Sequence, residues 1–139
     1  MYAYDTKIRV RYSETDKMGI VYYTNYLNWF EIGRTEFFRS LGMTYRSLEQ
    51  QGIMLPVIEA GCKYISSALY DDIIIIRTRL EFLKKTRLRF YYEIIREEDN
   101  KVLAIGFTEH PFTTLDKKPV NLQKAMPEVY NLLLNCLNN

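Results

Sequence analysis

Two consecutive stretches in the second half of the chain alternate between apolar and polar residues, as strands with one buried face do, and a third stretch after them is also predicted as a strand. In residues 73–83 the apolar face consists of Ile74, Ile76, Thr78, Leu80 and Phe82. In residues 87–96 it consists of Leu88, Phe90, Tyr92 and Ile94. The third stretch, residues 102–115, is expected to bend where Pro111 cannot donate a hydrogen bond. Because only short polar turns separate the stretches, they predict an antiparallel meander, whose apolar face needs a second layer.

The second layer is predicted in the first half of the chain, where the apolar spacing becomes helical. Between residues 22 and 41, this spacing puts on one face Tyr26, Phe30, Gly33, Phe37 and Leu41. Thr24 or Asn25 is expected to cap the start of this helix, and Gly42 is expected to end it. The pattern therefore predicts one long amphipathic helix that covers the apolar face of the sheet.

Further strands are predicted over residues 4–12 and 55–68, and a short helix over residues 121–137. No linker or repeat interrupts the chain, so we expect a single α+β domain over residues 1–139 with a five-stranded antiparallel sheet. The outer face of that sheet mixes charged, aromatic and aliphatic side chains, which suits contact with another subunit. These are Arg77, Arg79, Arg87, Tyr91 and Ile95.

Composition excludes several classes of protein. Nineteen basic and 17 acidic residues nearly balance, so a general nucleic-acid-binding domain is not expected. His110 is the only histidine, and Cys62 and Cys136 are the only cysteines, so neither a zinc site built from Cys and His nor a disulfide framework is expected. The start of the chain is polar, and the longest strongly apolar run, residues 73–76, is too short to span a bilayer. We therefore expect a cytoplasmic protein in a reducing compartment.

Asp16 lies in a glycine-containing loop directly before the long helix. A helix start offers free backbone N–H groups and a partial positive charge, which can polarise a carbonyl group. A carboxylate beside it can attack that carbonyl or activate a water molecule. Asp is also common in turns, so spacing alone favours a structural role for Asp16 as a turn or cap residue.

Residues 16–34 read D-K-M-G-I-V-Y-Y-x-N-Y-x-x-W-F-E-x-x-R, which resembles the 4-hydroxybenzoyl-CoA thioesterase family, including its short acyl-CoA thioesterase branch. The resemblance continues at residues 69–72, which match a turn of the family, and it extends over nearly the whole chain. It implies the hotdog fold, in which a curled antiparallel sheet wraps around a long helix. It also implies an enzyme that hydrolyses an acyl-CoA thioester to a carboxylic acid and free coenzyme A without a metal or redox cofactor.

The resemblance also implies roles for individual residues. Asp16 matches the catalytic carboxylate, and Gly19 matches the glycine that lets the loop approach the thioester. The backbone N–H near Tyr23 matches the amide that polarises the carbonyl, while Val21 and Tyr22 are expected to contact the substrate. One branch of the family has His at the position of Tyr23, so a mechanism that needs this His cannot apply here. We expect the Tyr23 ring to form a wall of the pocket.

A second signal is the basic segment from Arg77 to Arg89, which holds six basic residues and one acidic residue. In the family, basic residues at this junction of two strands bind the phosphates of coenzyme A, and Lys84 and Lys85 are the candidates here. A solvated hairpin whose lysines prevent edge pairing is the alternative. Glu31 and Arg34, one helical turn apart, are expected to form an intrahelical ion pair.

Two further functions remain open at this point. The chain could bind acyl-CoA or an acyl carrier protein without turnover, although a protein that only binds has no need of the Asp16 carboxylate. It could also be a hotdog dehydratase of hydroxyacyl thioesters, a chemistry that usually requires a His near the loop. The family joins two hotdog domains edge to edge with the active site at the seam, so we expect a homodimer or a homotetramer.

Overall fold

The computed structural model describes residues 1–138 of the chain, and these form a five-stranded antiparallel sheet with four helices. The strands are β1 (Ala3–Arg9), β2 (Glu59–Tyr64), β3 (Ile73–Leu83), β4 (Arg87–Arg96) and β5 (Lys101–Pro111). The helices are α1 (Asn25–Ser40), α2 (Tyr45–Gln50), α3 (Leu122–Ala125) and α4 (Pro127–Asn138). None of these helices combines the length and the apolarity that a membrane crossing requires.

The strand order is β1-β3-β4-β5-β2, and every neighbouring pair is antiparallel. The predicted meander of β3, β4 and β5 is confirmed, and β3 and β4 have the predicted bounds. Their inner face is buried as expected, except that Phe82 is only half-buried because the pairing shifts by one residue after Leu80. A similar shift after Ile94 buries Ile95, which was predicted on the outer face.

Helix α1 packs on the inner face of the sheet and buries the predicted residues Tyr26, Phe30, Gly33 and Phe37. Phe30 stacks on Tyr92 of β4, with ring centroids 4.4 Å apart and 5° between the planes. Glycine allows this close approach, because a Cβ atom on Gly33 would lie 2.5 Å from Thr78 Oγ1 and 2.7 Å from Ile76 Cγ2. The hotdog architecture is therefore present.

Several predicted boundaries were wrong. β2 begins at Glu59 rather than near residue 55, because Pro56 has no N–H group for the ladder. β5 ends at Pro111, beyond which the N–H of Phe112 donates to the carbonyl of Thr86. The predicted helix over residues 121–137 is divided into α3 and α4, and Pro127 begins the second of them. The predicted long helix is α1, which begins at Asn25 rather than Tyr22 and is followed by Gly42 at a φ of +83°.

The predicted ion pair between Glu31 and Arg34 was also wrong. The Arg34 guanidinium lies beside the hydroxyl groups of Tyr45 and Tyr92 and forms no ion pair among residues 1–138. The ion pair within α1 instead joins Arg39 to Glu36 at 3.2 Å.

His110 is fully buried near Arg34. Its Nε2 lies 2.8 Å from Thr108 Oγ1, and its Nδ1 lies 3.1 Å from the carbonyl oxygen of Leu55. Burial lowers the pKa of His110 to about 4, and the positive charge of Arg34 acts in the same direction, whereas Glu109 and the backbone carbonyls oppose it. The imidazole is therefore neutral in the folded protein at neutral pH and belongs to the core.

We expect His110 to make the fold sensitive to acid. The unfolded chain takes up a proton below pH 6.5, whereas the folded chain does so only near pH 4, so protonation favours unfolding between these values. The free energy of unfolding should therefore fall by about 3 kcal/mol more in wild type than in His110→Gln as the pH drops from 6.5 to 4. Urea unfolding across this range measures the difference, which is specific because the chain has no other His. Parallel pH curves for the two proteins would contradict it.

Candidate active site at the start of the long helix

The loop that carries Asp16 is closed by an antiparallel bridge between Thr15 and Val21. Within it, the Asp16 N–H donates to the carbonyl of Ile20 at 2.9 Å, and the Gly19 N–H donates to the carbonyl of Asp16 at 3.0 Å. Gly19 has a φ of +77°, a conformation that residues with a Cβ atom seldom adopt. The loop is therefore a tight turn whose backbone geometry depends on this glycine.

The Asp16 carboxylate is half-buried and has one engaged oxygen. Its Oδ1 accepts a hydrogen bond of 2.8 Å from the Met18 N–H, while Oδ2 accepts none from the described residues. A hydrogen bond to Tyr23 raises the pKa of the neighbouring Tyr22, and the negative charge of Asp16 contributes in the same direction. The carboxylate thus keeps one oxygen free at the rim of the loop, close to a tyrosine hydroxyl that stays protonated at neutral pH.

Helix α1 begins directly after this loop and leaves two backbone donors unused. The Val21 N–H donates to the carbonyl of Ala68, and the Tyr22 N–H donates to the carbonyl of Glu14. The N–H groups of Tyr23 and Thr24 have no acceptor among residues 1–138. Thr24 occupies the predicted cap position, but its side chain makes no capping hydrogen bond. The helix start therefore keeps free donors together with its partial positive charge.

An aromatic cavity of about 220 Å³ opens beside this helix start. Tyr64 of β2 spans it, because its hydroxyl donates to the Tyr23 carbonyl at 3.0 Å and its ring packs edge-on against the rings of Tyr23 and Tyr26. Burial raises the pKa of Tyr26, and its hydroxyl accepts a hydrogen bond from the Ala68 N–H. The lining residues are Ile20, Val21, Tyr23, Tyr26, Tyr64, Ile65, Ser66 and Ser67.

The structure brings only part of the predicted site together. Val21 and Tyr23 line the cavity, and Asp16, Gly19 and Tyr22 lie on the same loop outside the lining. Lys84 and Lys85 are exposed in the turn between β3 and β4, at the far end of the sheet. The loop instead contacts residues 68 and 69, just before β3 begins. Since the eleven residues of β3 span about 35 Å, these lysines cannot reach the Asp16 loop of their own chain.

Sequence reasoning missed several residues that build the site. Ser66 and Ser67 line the cavity but lie in a segment that was predicted as strand. Arg96 holds this segment, because its guanidinium donates to the Ser67 carbonyl at 2.9 Å and pairs with Asp72 at 3.1 Å. Glu14 anchors the loop to α1, because its carbonyl oxygen accepts a hydrogen bond from the Tyr22 N–H and its Oε2 accepts one from the Trp29 indole N–H. No local pattern marks these residues, since their partners are distant in the sequence.

Among residues 1–138, no group of three or more His, Cys, Asp or Glu side chains is arranged to hold a metal ion.

Comparison with known proteins places the chain in a family. Residues 10–131 match the family model of the thioesterase-like superfamily. The putative acyl-CoA thioesterase YneP of Bacillus subtilis is 34% identical over 131 residues, which cover 92% of this chain and 93% of that protein. The acyl-CoA thioesterase YbgC of Haemophilus influenzae is 33% identical over 91% of this chain and 93% of its own length.

Solved structures agree with this assignment. The DHNA-CoA thioesterase of Staphylococcus aureus superposes with a TM-score of 0.93 at 34% identity, and the match covers 100% of this chain and 95% of that one. These similarities confirm the predicted hotdog fold and an enzyme of the thioesterase class. The chain therefore belongs to the thioesterase-like superfamily.

Proposed function

We propose that this chain hydrolyses acyl-CoA thioesters to a carboxylic acid and free coenzyme A. The observation that carries the proposal is the position of the Asp16 carboxylate on the loop that leads into the free N–H groups of Tyr23 and Thr24. Hydrolysis of a thioester needs both a group that attacks the carbonyl carbon or activates water and hydrogen-bond donors that stabilise the oxyanion. The names of the relatives YneP and YbgC support the same reaction.

In this proposal the thioester carbonyl oxygen accepts hydrogen bonds from the helix-start amides, which favour the tetrahedral intermediate. Asp16 then acts in one of two ways. As a nucleophile, its carboxylate oxygen bonds to the carbonyl carbon, the C–S bond breaks, the thiolate leaves, and water hydrolyses the resulting mixed anhydride. As a general base, Asp16 takes a proton from water, whose oxygen attacks the carbonyl carbon. The C–S bond then breaks, and the departing thiolate takes up the proton from Asp16.

A single turnover in heavy-oxygen water tests for the nucleophilic route. Water that opens the anhydride at the Asp16 carbon places label in the Asp16 carboxylate and leaves one original Asp16 oxygen in the product. General-base catalysis and opening of the anhydride at the acyl carbon both put the label only in the released acid, so label in Asp16 is the outcome that identifies the anhydride. Mass spectrometry of the peptide that contains Asp16 reads out the result.

We further propose that a second copy of the chain completes the site through pairing of the two β2 edges. β1 and β2 are the edges of the sheet. β1 carries Asp5, Lys7 and Arg9, which discourage pairing. β2 also carries charges, Glu59 and Lys63, but it ends in the exposed Tyr64 and is flanked by the exposed apolar side chains of Val57, Ile58 and Ile65. An apolar surface beside an open edge favours association there.

Antiparallel pairing of two β2 strands would explain how Lys84 and Lys85, which cannot reach the Asp16 loop of their own chain, can serve the site of the other chain. The Tyr64 end of β2 lies at the cavity, whereas the Glu59 end pairs with Glu109, toward the turn that holds Lys84 and Lys85. Antiparallel pairing puts the Tyr64 end of one chain beside the Glu59 end of the other. The turn with Lys84 and Lys85 of each chain then lies near the cavity of the other chain. The phosphates of a coenzyme A bound in that cavity would extend toward this turn. A tetramer through the outer sheet faces and a cytoplasmic location stay predictions.

We expect Lys84→Ala combined with Lys85→Ala to raise KM for acyl-CoA about tenfold with little change in kcat. Contacts to the remote phosphates stabilise the ground state and the transition state alike, so their loss affects KM. Steady-state kinetics with an acyl-CoA and with the matching acyl-pantetheine measure the effect. The pantetheine ester, which lacks the nucleotide, is the internal control. An equal loss on both substrates would contradict a phosphate role.

Thiol release from a panel of acyl-CoAs of varied length and aromaticity tests the proposed function itself, and acyl carrier protein thioesters form a second arm. Saturable binding without thiol release in either arm would show a protein that binds but does not hydrolyse. A dehydratase is disfavoured, because the only His of the chain is buried in the core away from the loop.

A further inference from the structure

Glu14 is a buried carboxylate that the reaction described above does not use. It lies in a single turn of 3-10 helix, Tyr12–Glu14, between β1 and the Asp16 loop. Its Oε1 accepts a hydrogen bond of 2.8 Å from the Arg11 N–H, and its Oε2 accepts one of 3.0 Å from the indole N–H of Trp29. Trp29 is itself buried on α1 and is the only tryptophan of the chain.

The backbone of Glu14 also holds the start of the helix. Its carbonyl oxygen accepts hydrogen bonds from the Tyr22 N–H at 2.8 Å and from the Asn25 side-chain amide at 3.0 Å. One residue therefore connects its own 3-10 turn, the end of the loop and the first turns of α1. Because its carbonyl occupies the Tyr22 N–H, the first donors left free are those of Tyr23 and Thr24.

The contacts argue against direct participation of Glu14 in the chemistry. Both carboxylate oxygens are engaged, the side chain is 7% exposed, and Glu14 does not line the cavity. The Arg11 guanidinium, 3.6 Å from Oε1, balances part of its charge. A buried charged acceptor with fixed donors holds its neighbours in one geometry, because each lost bond leaves a buried polar group unpaired.

We infer that Glu14 is a positioning residue that sets the direction of the Tyr23 and Thr24 amides toward the substrate carbonyl. This inference rests on the proposed thioester hydrolysis. Oxyanion donors act only in a narrow range of distance and angle, so a small shift of the helix start lowers kcat more than it weakens binding. The Glu14–Trp29 hydrogen bond opposes such a shift from the side of α1, and the Glu14–Arg11 hydrogen bond holds the Glu14 side chain within its 3-10 turn.

Glu14→Gln tests the inference with little change of shape. The amide offers a single acceptor oxygen, so its NH2 group must face either the Arg11 N–H or the Trp29 N–H, donor against donor. We expect kcat for the best acyl-CoA to fall about 10- to 100-fold with KM nearly unchanged. Glu36→Gln, a half-buried carboxylate of α1 that pairs with Arg39, is the matched control and should keep wild-type kcat.

Trp29→Phe supplies the second half of the test. Combined with Glu14→Gln, it removes the donor that the NH2 group would oppose, so the double variant should lose far less than the product of the two single losses. All kinetics are measured at a temperature at which melting curves show each variant folded. Independent losses, a change in KM alone, or wild-type kcat in folded Glu14→Gln would overturn the positioning role. Absence of thiol release by the wild type would instead overturn the proposed function.

Discussion

Asp16→Asn should lower kcat for acyl-CoA hydrolysis at least about 100-fold, the largest loss that we expect from a single substitution. An amide can neither attack the thioester carbon nor take a proton from water. The substitution should nevertheless preserve the loop, because Asn Oδ1 can still accept the hydrogen bond that Asp16 Oδ1 accepts from the Met18 N–H. Stopped-time thiol release under saturating substrate measures the loss.

Two measurements make this result specific. Binding of a non-hydrolysable acyl-CoA analogue should remain within about threefold of wild type, since the loss concerns the reaction and not uniform binding. Asp116→Asn, in an exposed turn whose carboxylate accepts a hydrogen bond from Thr114, is the matched control and should be fully active. If Asp16→Asn kept near-normal turnover, both mechanistic routes would be wrong, and the helix-start amides alone would have to account for catalysis.

The parts of the fold that could be predicted from the sequence are those that local periodicity determines. β3 alternates as far as Leu80 and β4 as far as Ile94, and the bounds of both strands agree with the prediction. The buried face of α1 follows from helical spacing. Gly19 was expected from the family resemblance, and its φ of +77° shows the backbone reason for a glycine at this position.

The parts that could not be predicted depend on contacts between distant segments. Arg34 was paired with Glu31 because the two are neighbours on a helix, but the sheet supplies Tyr92, which a local rule cannot anticipate. Glu14 and Trp29 are 15 residues apart and meet only because the chain folds back after β1. The same holds for Lys84, whose distance from Asp16 depends on the direction in which β3 runs.

Because Lys84 and Asp16 of one chain lie far apart, the proposed site is shared between two chains. Mixed dimers should reveal this sharing as a large effect on KM. One chain carries Asp16→Asn with intact lysines, and its partner carries Lys84→Ala and Lys85→Ala with intact Asp16. Under the β2 pairing, each site combines Asp16 of one chain with the lysines of the other. The mixed dimer therefore contains one site with both changes and one site with neither.

We expect the purified mixed dimer to hydrolyse acyl-CoA with the KM of wild type and about half its kcat per dimer, although both parent homodimers are defective. Two different affinity tags isolate the mixed species, and the acyl-pantetheine ester again controls for the phosphate contacts. If each site lay within one chain, the only active site of the mixed dimer would lack its lysines. Its KM would then stay as high as that of the lysine variant, so KM alone decides between the two arrangements. An active monomer by light scattering would exclude the shared site as well, since no partner would then be present to supply the lysines.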